Sequence, residues 1–177
     1  MTAPNEQTAK AQDRLYAEAC SGHAPAIARL ARAIERDGDR ARDLEQDIHL
    51  ALWRSLAGFD GRCALGTWVY RVAHNVAATH AARGARSARL VTLEEAGDLP
   101  TNANPEVEAG EVQTLTRIRA LIMTLEPADR SVMLLYLEGL EARVIAEITG
   151  LSSTNVAVKV HRIKAMLTRH FAQGDPA

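Results

Sequence analysis

Aromatic residues are scarce in this chain, with two Trp, three Tyr and two Phe among 177 residues. Cysteine is rarer still. Cys20 and Cys63 stand far apart and match no metal or redox spacing, which excludes a disulfide-stapled secreted fold. No apolar run approaches the length of a membrane-spanning helix. Nor does the N-terminus, with Pro4, Glu6, Lys10 and Asp13 spread through it, have the basic start and apolar block of a secretion signal. These absences predict a cytoplasmic protein with no membrane role. Six histidines (His23, His49, His74, His80, His161 and His170) never fall beside Cys or carboxylates at ligand spacing, so neither a metal nor another cofactor is expected. The chain also lacks an ordered Ser-His-Asp or paired-carboxylate motif, which argues against an enzyme.

Charge of one sign is missing locally rather than globally. The formal net charge is −1, which by itself argues against nucleic acid, since a self-sufficient DNA binder carries a basic excess. The distribution reverses that reading. From Gly61 to Leu93 there is no Asp or Glu, while Arg62, Arg71, Arg83, Arg86 and Arg89 all fall inside. Residues 94 to 111 then carry Glu94, Glu95, Asp98, Glu106, Glu108 and Glu111 without a base. Finally, Thr149 to Gly174 carry Lys159, Arg162, Lys164 and Arg169 without an acid. Two basic blocks flank an acidic one. Both Trp residues, Phe59 and Tyr70 cluster in or beside the first basic block, and aromatic rings next to unopposed arginines suit unstacked bases and phosphates.

No segment alternates with period two between turn residues, so the expected class is all-α. Ile27, Leu30, Ala31 and Ile34 form one helical stripe, ended by Asp37-Gly38-Asp39. Leu44, Ile48, Ala51, Leu52 and Leu56 form a second, ended at Gly58. A third helix is expected from Thr67 as N-cap, burying Val69, Val72, Ala73 and Val76. Isolated amphipathic helices of this length are marginal, so these three should pack as a bundle. Between Val91 and Gly110 the chain gathers Gly, Pro and Asn among its acids without an apolar stripe, the pattern of a flexible linker. Helices resume with Leu115 to Leu125, stopped by Pro127, and Ala128 to Glu138, stopped by Gly139. The predicted organisation is two small helical domains, 1–92 and 112–177, joined by an acidic linker over 93–111.

The second domain closes with a helix-turn-helix pattern. Glu141 to Thr149 forms a short helix with Ile145 and Ile148 inward, Gly150 permits a left-handed turn, and Ser152 or Ser153 can cap the next helix. Val156, Val160, Ile163 and Leu167 are that helix's buried stripe. Ser153, Thr154, Asn155, Lys159 and Arg162 lie on its outward faces, where a recognition helix meets base edges and phosphates.

Taken together, the two domains resemble an extracytoplasmic-function (ECF) sigma factor of the sigma-70 family. The resemblance is carried first by Arg42-Asp43-Leu44-Glu45-Gln46-Asp47-Ile48, Ala51-Leu52-Trp53-Arg54, Phe59-Asp60-Gly61-Arg62 and Thr67-Trp68-Val69-Tyr70-Arg71-Val72-Ala73-His74-Asn75, in that order. Asn104-Pro105-Glu106, Ile145-Ala146-Glu147-Ile148-Thr149-Gly150-Leu151, Asn155-Val156 and Val160-His161-Arg162 extend it. It implies a specificity subunit for RNA polymerase that helps melt promoters. Asp43, Gln46 and Asp47 would meet the polymerase clamp. Phe59, Asp60, Arg62, Thr67, Arg71, His74 and Asn75 would meet the −10 element, with Trp68 in the core instead. Ser153, Thr154, Asn155, Lys159 and Arg162 would meet the −35 element. The polymerase flap, promoter DNA and, as often in the family, an anti-sigma protein are the implied partners of a free monomer. The chain departs from the family pattern at Thr149 and at Ala157 and Val158, where Arg, Lys or Ser is frequent. A helix-turn-helix repressor or activator working as a dimer is the competing reading. It leaves the Trp53 to Arg89 block without a role.

Overall fold

The structure is a computed structural model and describes residues 6–91 and 111–172. Seven helices and no strand occur among the described residues: α1 (Glu6–Ile34), α2 (Gly38–Leu56), α3 (Leu65–Val91), α4 (Glu111–Thr124), α5 (Pro127–Leu137), α6 (Ala142–Thr149) and α7 (Ser153–Ala172). The linker expected over 93–111 lies outside the described residues except for Glu111, which opens α4.

Helices α1 to α3 form the first lobe. Asp37 caps α2, its Oδ1 accepting the N–H groups of Asp39 and Arg40 at 3.0 and 2.9 Å, an arrangement worth about 1 kcal/mol. Leu44, Ile48, Leu52 and Leu56 then recur at helical spacing, with Ala41 buried one turn before them, and are buried against Ile27, Leu30 and Ala31 of α1 and Val69, Ala73 and Ala77 of α3. Cutting Ile48 or Leu52, both wholly buried, to Ala should cost about 2–5 kcal/mol.

Two features depart from the sequence expectation. Helix α1 begins at Glu6 and runs through Pro25, well before the stripe at Ile27. Its first half is held by α2: Gln12 Nε2 donates to the Trp53 carbonyl at 2.6 Å, Trp53 Nε1 to Asp13 Oδ1 at 2.9 Å, and the Tyr16 hydroxyl lies 3.0 Å from His49 Nδ1. Tertiary bonds thus compensate for the hydrogen bond that Pro25 cannot donate. Helix α3 starts at Leu65 rather than at a Thr67 cap, because Leu65 packs on the core and the Trp68 N–H already bonds the Ala64 carbonyl at 3.1 Å. Gly66 lets α3 approach α1 closely in that first turn: a Cβ there would stand 3.0 Å from the His23 ring, which would have to shift.

In the second lobe, Val132 and Leu135 of α5, Ile145 and Ile148 of α6 and Val156 and Val160 of α7 share one core. Gly150 takes φ 75 and donates its N–H to the Ala146 carbonyl at 2.9 Å, ending α6 with the left-handed residue that the turn needs. Ser152 caps α7, its Oγ accepting the Asn155 N–H at 3.2 Å.

The lobes pack on each other. Leu134 of α5 rests on the first core and Tyr70 of α3 on the second. Arg130 spans the boundary, donating to the Ala33 and Ile34 carbonyls at the end of α1 (3.2 and 3.5 Å) and to the Met123 and Leu125 carbonyls at the end of α4 (2.7 and 2.9 Å). A guanidinium suits both places, since each is the negative end of a helix.

Candidate partner and nucleic-acid interfaces

Asp43, Gln46 and Asp47 are all exposed on α2, opposite its buried stripe. The same face continues into Leu50 and Trp53, 47% and 39% exposed. An acidic face with large apolar side chains repels phosphate and suits protein. Leu50 was legible in the sequence, since it is an apolar residue two positions off the Ile48 to Leu52 stripe. Trp53 was not, because its exposure depends on Asp13 holding the ring edge.

The turn between α2 and α3 carries the next group. Gly61 takes φ 74, and Asp60 accepts from both the Arg62 backbone N–H (3.1 Å) and its Nε (2.5 Å). These bonds from Arg62 hold the Asp60 carboxyl below its ordinary range. Phe59 is half-buried, edge-on to Trp68 with centroids 5.4 Å apart, while Trp68 Nε1 donates to Ser55 Oγ at 2.9 Å. Trp68 therefore belongs to the core, as expected, and Phe59 leans on it. Thr67 is half-buried inside the first turn of α3.

Further along α3, Asn75 is exposed but Arg71 and His74 are half-buried. Arg71 Nε and His74 Nδ1 are both buried without a hydrogen-bond partner. His74 lines a cavity of about 360 Å³ with Ile34, Ala77 and Ala78 on one side and Pro127, Ala128 and Ser131 of α5 on the other. Burial holds its imidazole below the ordinary value, so the ring is neutral there. The three residues share a face, and the second lobe covers part of it. Side chains of Arg86 and Arg89 lie outside the described residues.

On α7, Ser153, Thr154 and Asn155 are exposed and form the first turn. Lys159 Nζ and Arg162 Nη2 both donate to Asp129, a buried residue in the first turn of α5. Burial pushes the Asp129 carboxyl up, but the two cations outweigh it and hold it below its ordinary range. Lys159 is thereby drawn inward, its side chain 22% exposed, whereas that of Arg162 remains 64% exposed. Sequence reading missed Asp129, because nothing local ties an acid to bases thirty positions on.

No group of three His, Cys, Asp or Glu residues could hold a metal ion among the described residues. None of the described helices is long and apolar enough to cross a membrane.

Comparison with known proteins agrees with both lobes. The family profile "Sigma-70 region 2" matches residues 21–87, and "Sigma-70, region 4" matches 115–167. The ECF RNA polymerase sigma factor SigD of Mycobacterium tuberculosis is 32% identical over 162 residues, covering 86% of this chain and 76% of that protein. RNA polymerase sigma factor YlaC of Bacillus subtilis is 26% identical over 137 residues, covering 76% and 79%. Among solved structures, RpoE in complex with the anti-sigma factor NepR from Bartonella quintana aligns with a TM-score of 0.72 at 18% identity, over 91% of this chain and 98% of that one. CnrH in complex with the cytosolic domain of CnrY aligns with a TM-score of 0.67 at 22% identity, over 96% and 95%. Neither structure is similar enough in sequence to speak for more than the fold. The sequence matches go further: the region 2 match accounts for the block that a lone helix-turn-helix regulator leaves unexplained, and the chain belongs to the ECF sigma factors of the sigma-70 family.

Proposed function

We propose that this sigma factor works through a division of labour between its lobes, with residues 1–92 engaging core polymerase and the −10 element and 112–177 the −35 element. The α2 face of Asp43, Gln46 and Asp47, extended by Leu50 and Trp53, docks on the polymerase clamp. The turn with Phe59, Asp60 and Arg62 and the α3 face with Thr67, Arg71, His74 and Asn75 take the −10 strand. Capture of an unstacked base stabilises the melted state, and unpairing costs only a few kcal/mol per flipped base, so opening needs no catalytic step by this chain. Helix α7 enters the −35 major groove through Ser153, Thr154 and Asn155, with Lys159 and Arg162 toward phosphate, while its lobe meets the flap. The acidic segment over 93–111 links the two.

The observation that carries this reading is the pair of orphaned buried atoms on α3, Arg71 Nε and His74 Nδ1, at the edge of an acid-free face. Buried polar atoms without partners are costly, and a nucleic-acid strand supplies hydrogen-bonding groups for both, reaching His74 once α5 moves away from it. Binding to polymerase therefore includes separation of the lobes. The free chain is a cytoplasmic monomer. An anti-sigma protein is a further partner, a proposal supported at fold level by RpoE bound to NepR.

Transcription with purified core polymerase on fragments of the source genome tests the assignment. Discrete start sites that require this chain are expected, and Arg71→Ala with Asn75→Ala should reduce opening more than core binding. Equal loss of both, or no start sites, refutes it.

A further inference from the structure

The outward line of α7 is apolar at its centre. Val158 is 61% exposed, more than any other large apolar side chain described. It stands opposite the buried Val156, Val160 and Ile163, with Thr154 one turn before it and Arg162 one turn after. Ala157 beside it is exposed as well. Valine is not among the strong helix formers, so helix propensity does not select it there. Of the neighbouring cations, Lys159 is drawn inward to Asp129, and Arg162 also bonds Asp129 while its side chain stays largely exposed, beside the apolar centre rather than in it.

Each base pair presents a different pattern to such a face. Guanine is read by a donor fork and cytosine by an acceptor, and Val158 supplies neither; thymine offers a C5-methyl group, which an apolar side chain contacts directly. We propose that Val158 is a specificity-determining residue that reads a thymine methyl in the −35 element, with the Thr154 methyl beside it. The inference rests on α7 being the −35 reading helix. It goes further by naming the base and the atom read.

The test uses holoenzyme, assembled from core polymerase and the full chain, on a promoter mapped by transcription. Each thymidine of the −35 element, on either strand, is replaced singly by deoxyuridine, which removes only the methyl group. At one position binding should weaken about fourfold, the effect of leaving one methyl unburied. Val158→Ser should bind thymidine and deoxyuridine equally there, and Val158→Ile should retain the preference. Both variants change an exposed side chain, so folding is not at stake. Promoter-specific binding that is indifferent to every deoxyuridine, or a preference that Val158→Ser leaves intact, overturns the inference while sparing the sigma reading. Absence of promoter-specific binding overturns both.

Discussion

Arg29 on α1 and Glu138 at the end of α5 join the two lobes through two hydrogen bonds, Nε to Oε1 and Nη2 to Oε2, each 2.7 Å, across 109 positions of sequence. The fork geometry is that of a bidentate pair. Arg29 is 55% exposed, so solvent screening limits the pair to about 1 kcal/mol or less.

Glu138→Lys should therefore loosen the packed lobes without unfolding either. Small-angle scattering should show a larger radius of gyration in the variant at low salt, and Arg29→Glu in the same chain should restore the compact value. A lack of restoration would mean that the pair does not couple the lobes.

Arg130 is the stronger tie, because it serves four carbonyls at the ends of α1 and α4 and is itself half-buried. Hydrogen bonds to a charged group are worth about 1.5–3 kcal/mol. Arg130→Met should lower stability by about that amount in urea unfolding, and Arg130→Lys should not rescue it, since one ammonium cannot span both helix ends. Full rescue by Lys would reduce the site to a point charge.

How far the sequence reached follows from the range of the forces involved. Stripes such as Leu44, Ile48 and Leu52, and the turn at Gly150, are local patterns and were readable. So was the cluster of Asp43, Gln46 and Asp47 on one exposed face. The first half of α1 was not, because Pro25 interrupts the local pattern and only bonds to α2, such as Gln12 to Trp53, hold it. Packing of the lobes was equally hidden. Arg29, Arg130 and Glu138 look like ordinary surface charges until the chain returns from a distance, and the cover that α5 places over His74 comes from that return.

Asp129 links stability to acid. Its carboxyl is held below the ordinary value of about 3.9, so its contribution is fully present above that pH and is lost as pH falls through the folded value. Asp129→Asn should destabilise the second lobe at neutral pH, and the difference from the parent should vanish as pH falls through the carboxyl's folded value. Urea midpoints measured across that range check it. The same pairing separates the two bases on DNA: Arg162→Ala should reduce the salt slope of promoter binding by about one phosphate unit, Lys159→Ala by less. Equal slopes would show that Asp129 releases both on binding.

His74 makes the packing of the lobes sensitive to milder acid. The ring lines a cavity with Pro127, Ala128 and Ser131, none of which carries a negative charge, and burial holds its pKa below the ordinary value of about 6.5. The neutral ring is thus compatible with the packed lobes at higher pH, and that compatibility is lost as pH falls from about 6.5 through the folded value. Fluorescence transfer between dyes on the two lobes should report separation as pH drops from about 7.5 toward about 5, across the histidine range. His74→Phe, which stays neutral, should flatten that response. A profile unchanged by His74→Phe would assign the acid sensitivity to another group.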